Sequence, residues 1–213
     1  LALMTGSEGL LGVISEITVK LTKKPQVAKL VMAGFDSVRD CANTVAEIIK
    51  IGVIPAGLEM MDQFAIEASE AFAQAGYPLG AKALLLCELD GSKDLVKEDL
   101  NKVINILSKA SSVRVSENEE ERLLFWKGRK SAFPAVGRLS PDYYCMDGTI
   151  PKRYLADVLE KISSLSAIYE LRVANVFHAG DGNLHPLILY DAAQQGELEK
   201  AEGFGNDILK LCV

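Results

Sequence analysis

Both histidines of the chain lie in one eight-residue stretch, His178-Ala179-Gly180-Asp181-Gly182-Asn183-Leu184-His185. Asp-Gly favours a two-residue type I′ hairpin turn, because both central residues of that turn take positive φ. A turn centred on Asp181-Gly182 puts 179 opposite 184 and His178 opposite His185. The two imidazoles then share a sheet face, with Cβ atoms about 5 Å apart. Two neutral imidazoles at that separation can converge on a divalent metal such as zinc, manganese or iron. The bland alternative is a pair of stacked histidines beside a glycine turn. A catalytic metal usually takes three protein ligands and an open position. No HExxH and no third histidine completes the set, so a metallohydrolase site is unsupported.

The hairpin needs a sheet to hold it, and the rest of the chain reads as alternating strands and helices. Lys29–Phe35, Gly57–Met61, Ala83–Leu89, Val113–Val115 and Cys145–Ile150 are strand candidates, and Arg172–Tyr190 folds as two strands about the turn. Helices are expected over Val38–Ile51, from Asp62 to about Ala75, and from about Asp94 to Lys109. Three more are expected over Glu119–Lys130, Arg153–Tyr169 and Gly196–Cys212. A loop runs through Pro134, Gly137 and Pro141. Short β-branched strands and amphipathic helices indicate an α+β fold: a mostly antiparallel sheet with helices packed on it, related to the ferredoxin-like plan. The two rounds of strand and helix suggest an internal repeat.

Ahead of this lies Gly6-Ser7-Glu8-Gly9-Leu10-Leu11-Gly12, then Val13–Leu21, where Ile17, Val19 and Leu21 alternate with polar residues as in a half-buried strand. The glycines are spaced GxxGxxG before a strand, whereas a Rossmann dinucleotide site has GxGxxG opening a helix. Lys23-Lys24-Pro25 marks a boundary near residue 25.

Composition excludes several classes. The chain has 213 residues, 49% hydrophobic and 24% charged, with a net charge of −6. An acidic chain without a basic, aromatic-interleaved stretch does not suit nucleic acid. Polar residues interrupt every apolar run, so no transmembrane segment is expected. Four dispersed cysteines without a CxxC pair suit a reducing compartment, and a cytoplasmic location is the default. Both ends read as cuts through a longer chain.

The hairpin resembles the HxGDGNxH motif of the FAD-linked oxidases in the vanillyl-alcohol oxidase superfamily. Three further stretches are similar to that family: Thr5–Gly12, Phe125-Trp126-Lys127-Gly128-Arg129-Lys130, and Pro141–Pro151. Within it, the stretches are most similar to the FAD-linked catalytic subunits of glycolate oxidases, with D-lactate and D-2-hydroxyglutarate dehydrogenases as near relatives. The resemblance implies that residues 1–25 are the tail of an FAD-binding domain and 26–213 a substrate-side cap domain. It implies FAD as cofactor, with Gly6, Ser7, Gly9 and Gly12 near the flavin. His178 and His185 become ligands of a divalent metal, and Arg129 binds the carboxylate of a small 2-hydroxy acid. A further glutamate ligand and the catalytic base are expected beyond residue 213, so the fragment alone is expected to be inactive. Some relatives carry a second cationic carboxylate contact near residue 145, where this chain has Cys145. Partner subunits of a glycolate oxidase complex, peripheral to a membrane, are implied as well. The competing expectation is a non-catalytic α+β binding or regulatory module.

Overall fold

The computed structural model describes residues 1–213. Its first unit runs β1 (Val27–Phe35), α1 (Val38–Lys50), β2 (Gly57–Asp62), α2 (Gln63–Ala73), β3 (Ala83–Gly91), α3 (Lys93–Ile106) and β4 (Ser112–Val115). Side-chain caps start the helices: Ser37, Asp62 and Ser92 accept hydrogen bonds from the backbone N–H groups of Asp40, Ala65 and Leu95. The strands pair antiparallel in the order β4-β1-β3-β2. That is the ferredoxin-like plan, with α2 inserted between β2 and β3.

A linking pair of helices, α4 (Glu119–Lys130) and α5 (Ala132–Val136), leads to the second unit. This unit comprises β5 (Asp142–Cys145), β6 (Gly148–Thr149), α6 (Leu155–Tyr169), β7 (Val173–His178), β8 (Asn183–Tyr190) and α7 (Glu197–Cys212). Its strand order, β7-β8-β5, mirrors β2-β3-β1 of the first unit. The internal repeat thus takes physical form, and the two sheets fuse where β2 pairs with β7 into one eight-stranded sheet.

Alternation along the strands divides the interior into two layers. On one face Phe35, Met60, Leu85, Phe177 and Ile188 pack beneath α1, α3, α6 and α7, with Ile48, Val103, Ile162 and Phe204. On the other, Leu30, Met61, Leu84, Val176 and Leu187 pack beneath α2, α4 and α5, with Ile66, Phe125 and Val136. The second face carries the histidine hairpin.

Four local expectations are corrected. Residues 13–21 pair with no strand, and Ile17, Val19 and Leu21 are 74%, 67% and 88% exposed, so nothing covers the apolar side of the alternation. The Pro134 loop contains α5. Its proline falls in the first helical turn, where a missing N–H leaves no bond unmade. The Cys145–Ile150 strand is instead two short strands, β5 and β6. The ladder on β8 breaks opposite Pro186, which accepts from Met146 N at 3.0 Å and has no N–H to return. The fourth correction is the hairpin itself.

Candidate active site

The β7–β8 ladder pairs His178 with Asn183 and Val176 with His185. The turn is therefore the four-residue loop Ala179–Gly182, not the two-residue type I′ turn. Of its two expected positive-φ residues only Gly182 adopts one, at +76°. Contacts from outside set the loop: Gly180 N–H donates to Leu58 O at 2.9 Å, and Ile150 N–H donates to Gly182 O at 2.9 Å. The pairing differs from the expected one by an even step, so every side chain keeps its face. His178 and His185 still meet, now as diagonal neighbours, with ring centroids 5.2 Å apart and planes at 90°.

Glu59 stands beside them on β2. Leu58 and Met60 point into one core layer and Met61 into the other, so Glu59 lies on the histidine face. Its Oε1 is 2.9 Å from His178 Nδ1. Its Oε2 accepts from Arg129 Nη2 at 2.8 Å and from Nε at 3.1 Å. Glu59 and Arg129 are both buried, 8% and 7% exposed, so each charge depends on the other. A carboxylate facing Nδ1 draws the ring proton there and leaves Nε2 as the free donor atom of His178.

Arg129 reaches the sheet because α4 packs closely. Gly128 leaves room for Tyr77, whose ring would lie 2.5 Å from a Cβ at that position. The Tyr77 hydroxyl donates to Phe125 O at 2.5 Å and fixes the same turn of helix. Gly57 likewise gives way to the indole of Trp126, with a would-be Cβ 2.9 Å from Cζ2.

His185 is less exposed than its partner. Burial pushes its imidazole below the usual range, opposed by Asp147 and reinforced by His178 and Arg129. Asp147 Oδ1 stands 4.0 Å from its Nδ1. The ring of Phe133, on α5, lies edge-on to it at 6.1 Å between centroids. Cys145 is exposed on β5.

Of the residues singled out in the sequence, His178, His185 and Arg129 form one cluster. Gly6, Ser7, Gly9 and Gly12 do not join it. They lie in a turn-rich N-terminal stretch whose hydrogen bonds, such as Ser7 N to Met4 O and Leu10 N to Ser7 O, stay within residues 1–10. Glu59, Asp147 and Phe133 had gone unnoticed. The one available signal for Glu59 was a lone carboxylate inside the otherwise apolar run Leu58–Met61. No group of three or more His, Cys, Asp or Glu residues is placed to hold a metal ion.

A fused pair of ferredoxin-like units forms an α+β domain that carries paired histidines and a buried Glu-Arg couple on one sheet face. Residues 24–213 match the family described as FAD linked oxidases, C-terminal domain, and the chain belongs to that family. It is 60% identical over 215 positions to the glycolate oxidase subunit GlcD of Escherichia coli (strain K12), covering 100% of this chain and 43% of that protein. It is 38% identical over 202 positions to the subunit of the same name from Bacillus subtilis (strain 168), covering 94% and 43%. A solved structure of alkyldihydroxyacetonephosphate synthase shares the fold, with a TM-score of 0.67 at 17% identity, over 97% of this chain and 45% of that one. The chain thus spans less than half the length of the relatives it matches. No helix is long and apolar enough to cross a membrane.

Proposed function

We propose that the chain is the substrate-side part of an FAD-dependent dehydrogenase that oxidises a D-2-hydroxy acid, glycolate or D-lactate, to the 2-oxo acid. The observation that carries this reading is the convergence of Arg129, His178 and His185 on one sheet face. A guanidinium is suited to a carboxylate, and two imidazoles beside it are suited to the neighbouring hydroxyl.

In this reading Arg129 binds the substrate carboxylate through the donors that Glu59 does not use. His178 and His185 hold a divalent ion, and the free Nε2 of His178 supports their fit to one. Such an ion, when bound, lowers the pKa of the 2-hydroxyl. FAD, when bound, would supply the hydride acceptor, and the protein contributes position and charge. Residues 1–25 serve as the tail of the flavin-binding domain, with Gly6, Ser7, Gly9 and Gly12 close to the cofactor. In keeping with the family resemblance, the remaining ligand and the base that takes the hydroxyl proton are assigned to the parent protein outside these residues. The parent protein works in the cytoplasm alongside partner subunits.

The test uses the parent protein with its natural flanking sequence, supplied with FAD and mixed anaerobically with glycolate, D-lactate or L-lactate. Bleaching of the flavin by glycolate or D-lactate, lost in His178→Ala, is the expected result. A protein that purifies without flavin even when FAD is supplied would overturn the reading and favour a binding module.

A further inference from the structure

Glu59 is the one side chain that touches both chemically distinct halves of the site. Its two oxygens are divided between them: Oε1 faces His178 Nδ1 at 2.9 Å, while Oε2 takes both Nε and Nη2 of Arg129. These contacts also join separate parts of the fold, since Glu59 belongs to β2, His178 to β7 and Arg129 to α4. The histidine contact closes over 119 residues of sequence and the arginine contact over 70.

We infer that Glu59 is a positioning residue for the proposed reaction, setting the ring tautomer of His178 and the direction of the Arg129 guanidinium through one carboxylate. The inference rests on the dehydrogenase reading for its consequence in catalysis, but not for its local chemistry. The carboxylate accepts the His178 Nδ1 proton, so the lone pair for a metal stays on Nε2. It also occupies the Nε–Nη2 edge of Arg129. An incoming carboxylate is met by the two Nη1 protons and the remaining Nη2 proton, the end of the guanidinium that Glu59 leaves open. The same carboxylate therefore holds the distance between the group that binds the substrate carboxylate and the group that acts on the hydroxyl.

Glutamine is the discriminating substitution. It keeps the shape, but it either presents an N–H to His178 Nδ1 or surrenders the arginine contact. With an N–H facing it, Nδ1 must accept, and the ring proton moves to Nε2. The first readout is the nitrogen-15 NMR spectrum of the histidine rings in the parent protein without metal, with His178 assigned by its loss in His178→Gln. The pH is held about two units above the ordinary imidazole value. Wild type is expected to carry the proton on Nδ1, Glu59→Gln on Nε2, and Glu59→Asp to retain the wild-type tautomer at least in part. The second readout is titration of the metal-free protein with Zn²⁺ alone, where Glu59→Gln should bind about tenfold or more weakly, as with other carboxylates behind histidine ligands. The third is flavin reduction, where Glu59→Gln should both weaken substrate binding and slow the limiting rate.

An unchanged tautomer in Glu59→Gln together with undiminished hydroxy-acid binding would overturn the inference, since the amide must fail one of its two partners. So would wild-type affinities for Zn²⁺ and hydroxy acid beside a lowered thermal midpoint, which is the mark of a merely structural residue. If Glu59→Gln fails to fold because Arg129 is left unpaired, Glu59→Leu/Arg129→Met removes both charges, leaves Nδ1 without its acceptor and should lose the wild-type tautomer. A wild-type protein that binds no Zn²⁺ and reacts with no hydroxy acid defeats the dehydrogenase reading. The tautomer comparison still decides the role of Glu59 toward His178.

Discussion

His178 and His185 meet edge to face, ring centroids 5.2 Å apart, from positions that are diagonal across the β7–β8 ladder. Their meeting depends on the loop that joins the strands, and that loop turns on Gly182. A Cβ at this position would stand 2.2 Å from Ile150 O, and its φ of +76° is one that side chains disfavour.

Gly182→Ala is therefore expected to lose about 3 kcal/mol or more, with backbone strain adding to the steric displacement. Gly196→Ala is the control. Gly196 has φ +85° but nothing within 4 Å of its would-be Cβ, so the variant should lose about 1–2 kcal/mol for conformation alone. Urea unfolding of both variants separates the terms, and equal losses would mean that the loop yields without cost.

The buried couple Glu59–Arg129 predicts a non-additive pair. The side chains are only 10% and 8% exposed, so Arg129→Met leaves a buried carboxylate without its partner and should cost about 3–5 kcal/mol. Glu59→Leu should do comparable harm. Joined in one chain, the two substitutions should recover most of the loss, because a hydrophobic pair needs no mutual compensation. The double variant should still fail to reduce flavin. By contrast, Arg39→Ala removes an exposed ion pair with Asp157 and Glu160 and should leave the thermal midpoint almost unmoved.

Asp62 predicts a pH dependence. Its carboxyl lines a cavity of about 290 Å³ near Asn175, Lys82 and Phe177, and burial pushes its pKa up to about 6 despite the donors from Ala65 and Asn175. In the unfolded chain the value is about 3.9. The folded state therefore binds more protons between the two values, and stability from this group is full below about pH 4 and lost as pH rises through 6. The stability of wild type relative to Asp62→Asn should fall over that window. Parallel curves would contradict the assignment.

The thiols predict an order of alkylation. Cys145 is exposed, Cys212 half-buried, and Cys41 and Cys87 are buried. Burial pushes the Cys87 thiol to about 12 and that of Cys41 higher still. Iodoacetamide on the native protein, followed by peptide mass spectrometry, should label Cys145 first and Cys212 more slowly. Labels on Cys41 and Cys87 should appear only after unfolding. Early labelling of Cys87 would show that β3 opens.

Local signals made much of this legible in sequence. Ser37 and Asp62 announce helix starts by the hydrogen bonds that their side chains can make, and those bonds form. The apolar runs of β1, β3 and β8 likewise mark strands, although burial on both faces leaves no alternation to name which side chain faces which layer. What stayed hidden depends on partners distant in the chain. Gly180 bonds to Leu58 and Gly182 to Ile150, and these contacts, not the Asp-Gly pair, choose the loop. Glu59 carries no spacing pattern, since its partners lie 70 and 119 residues away. The side chains of residues 13–21 alternate like a strand, but alternation names no neighbour, and none pairs with them.

The fusion of the two ferredoxin-like units has a mechanical meaning. Their shared ladder is short, registering Met60 with Phe177 and Met61 with Val176. Two carboxylates of β2 cross it, Glu59 to His178 on one face and Asp62 to Asn175 on the other. The spacing between Arg129 and the histidines is thus set by how two half-domains align, not by any single hairpin or helix. A slide of one half along the other would shift Arg129 relative to the histidines, so their spacing is a gauge of that alignment.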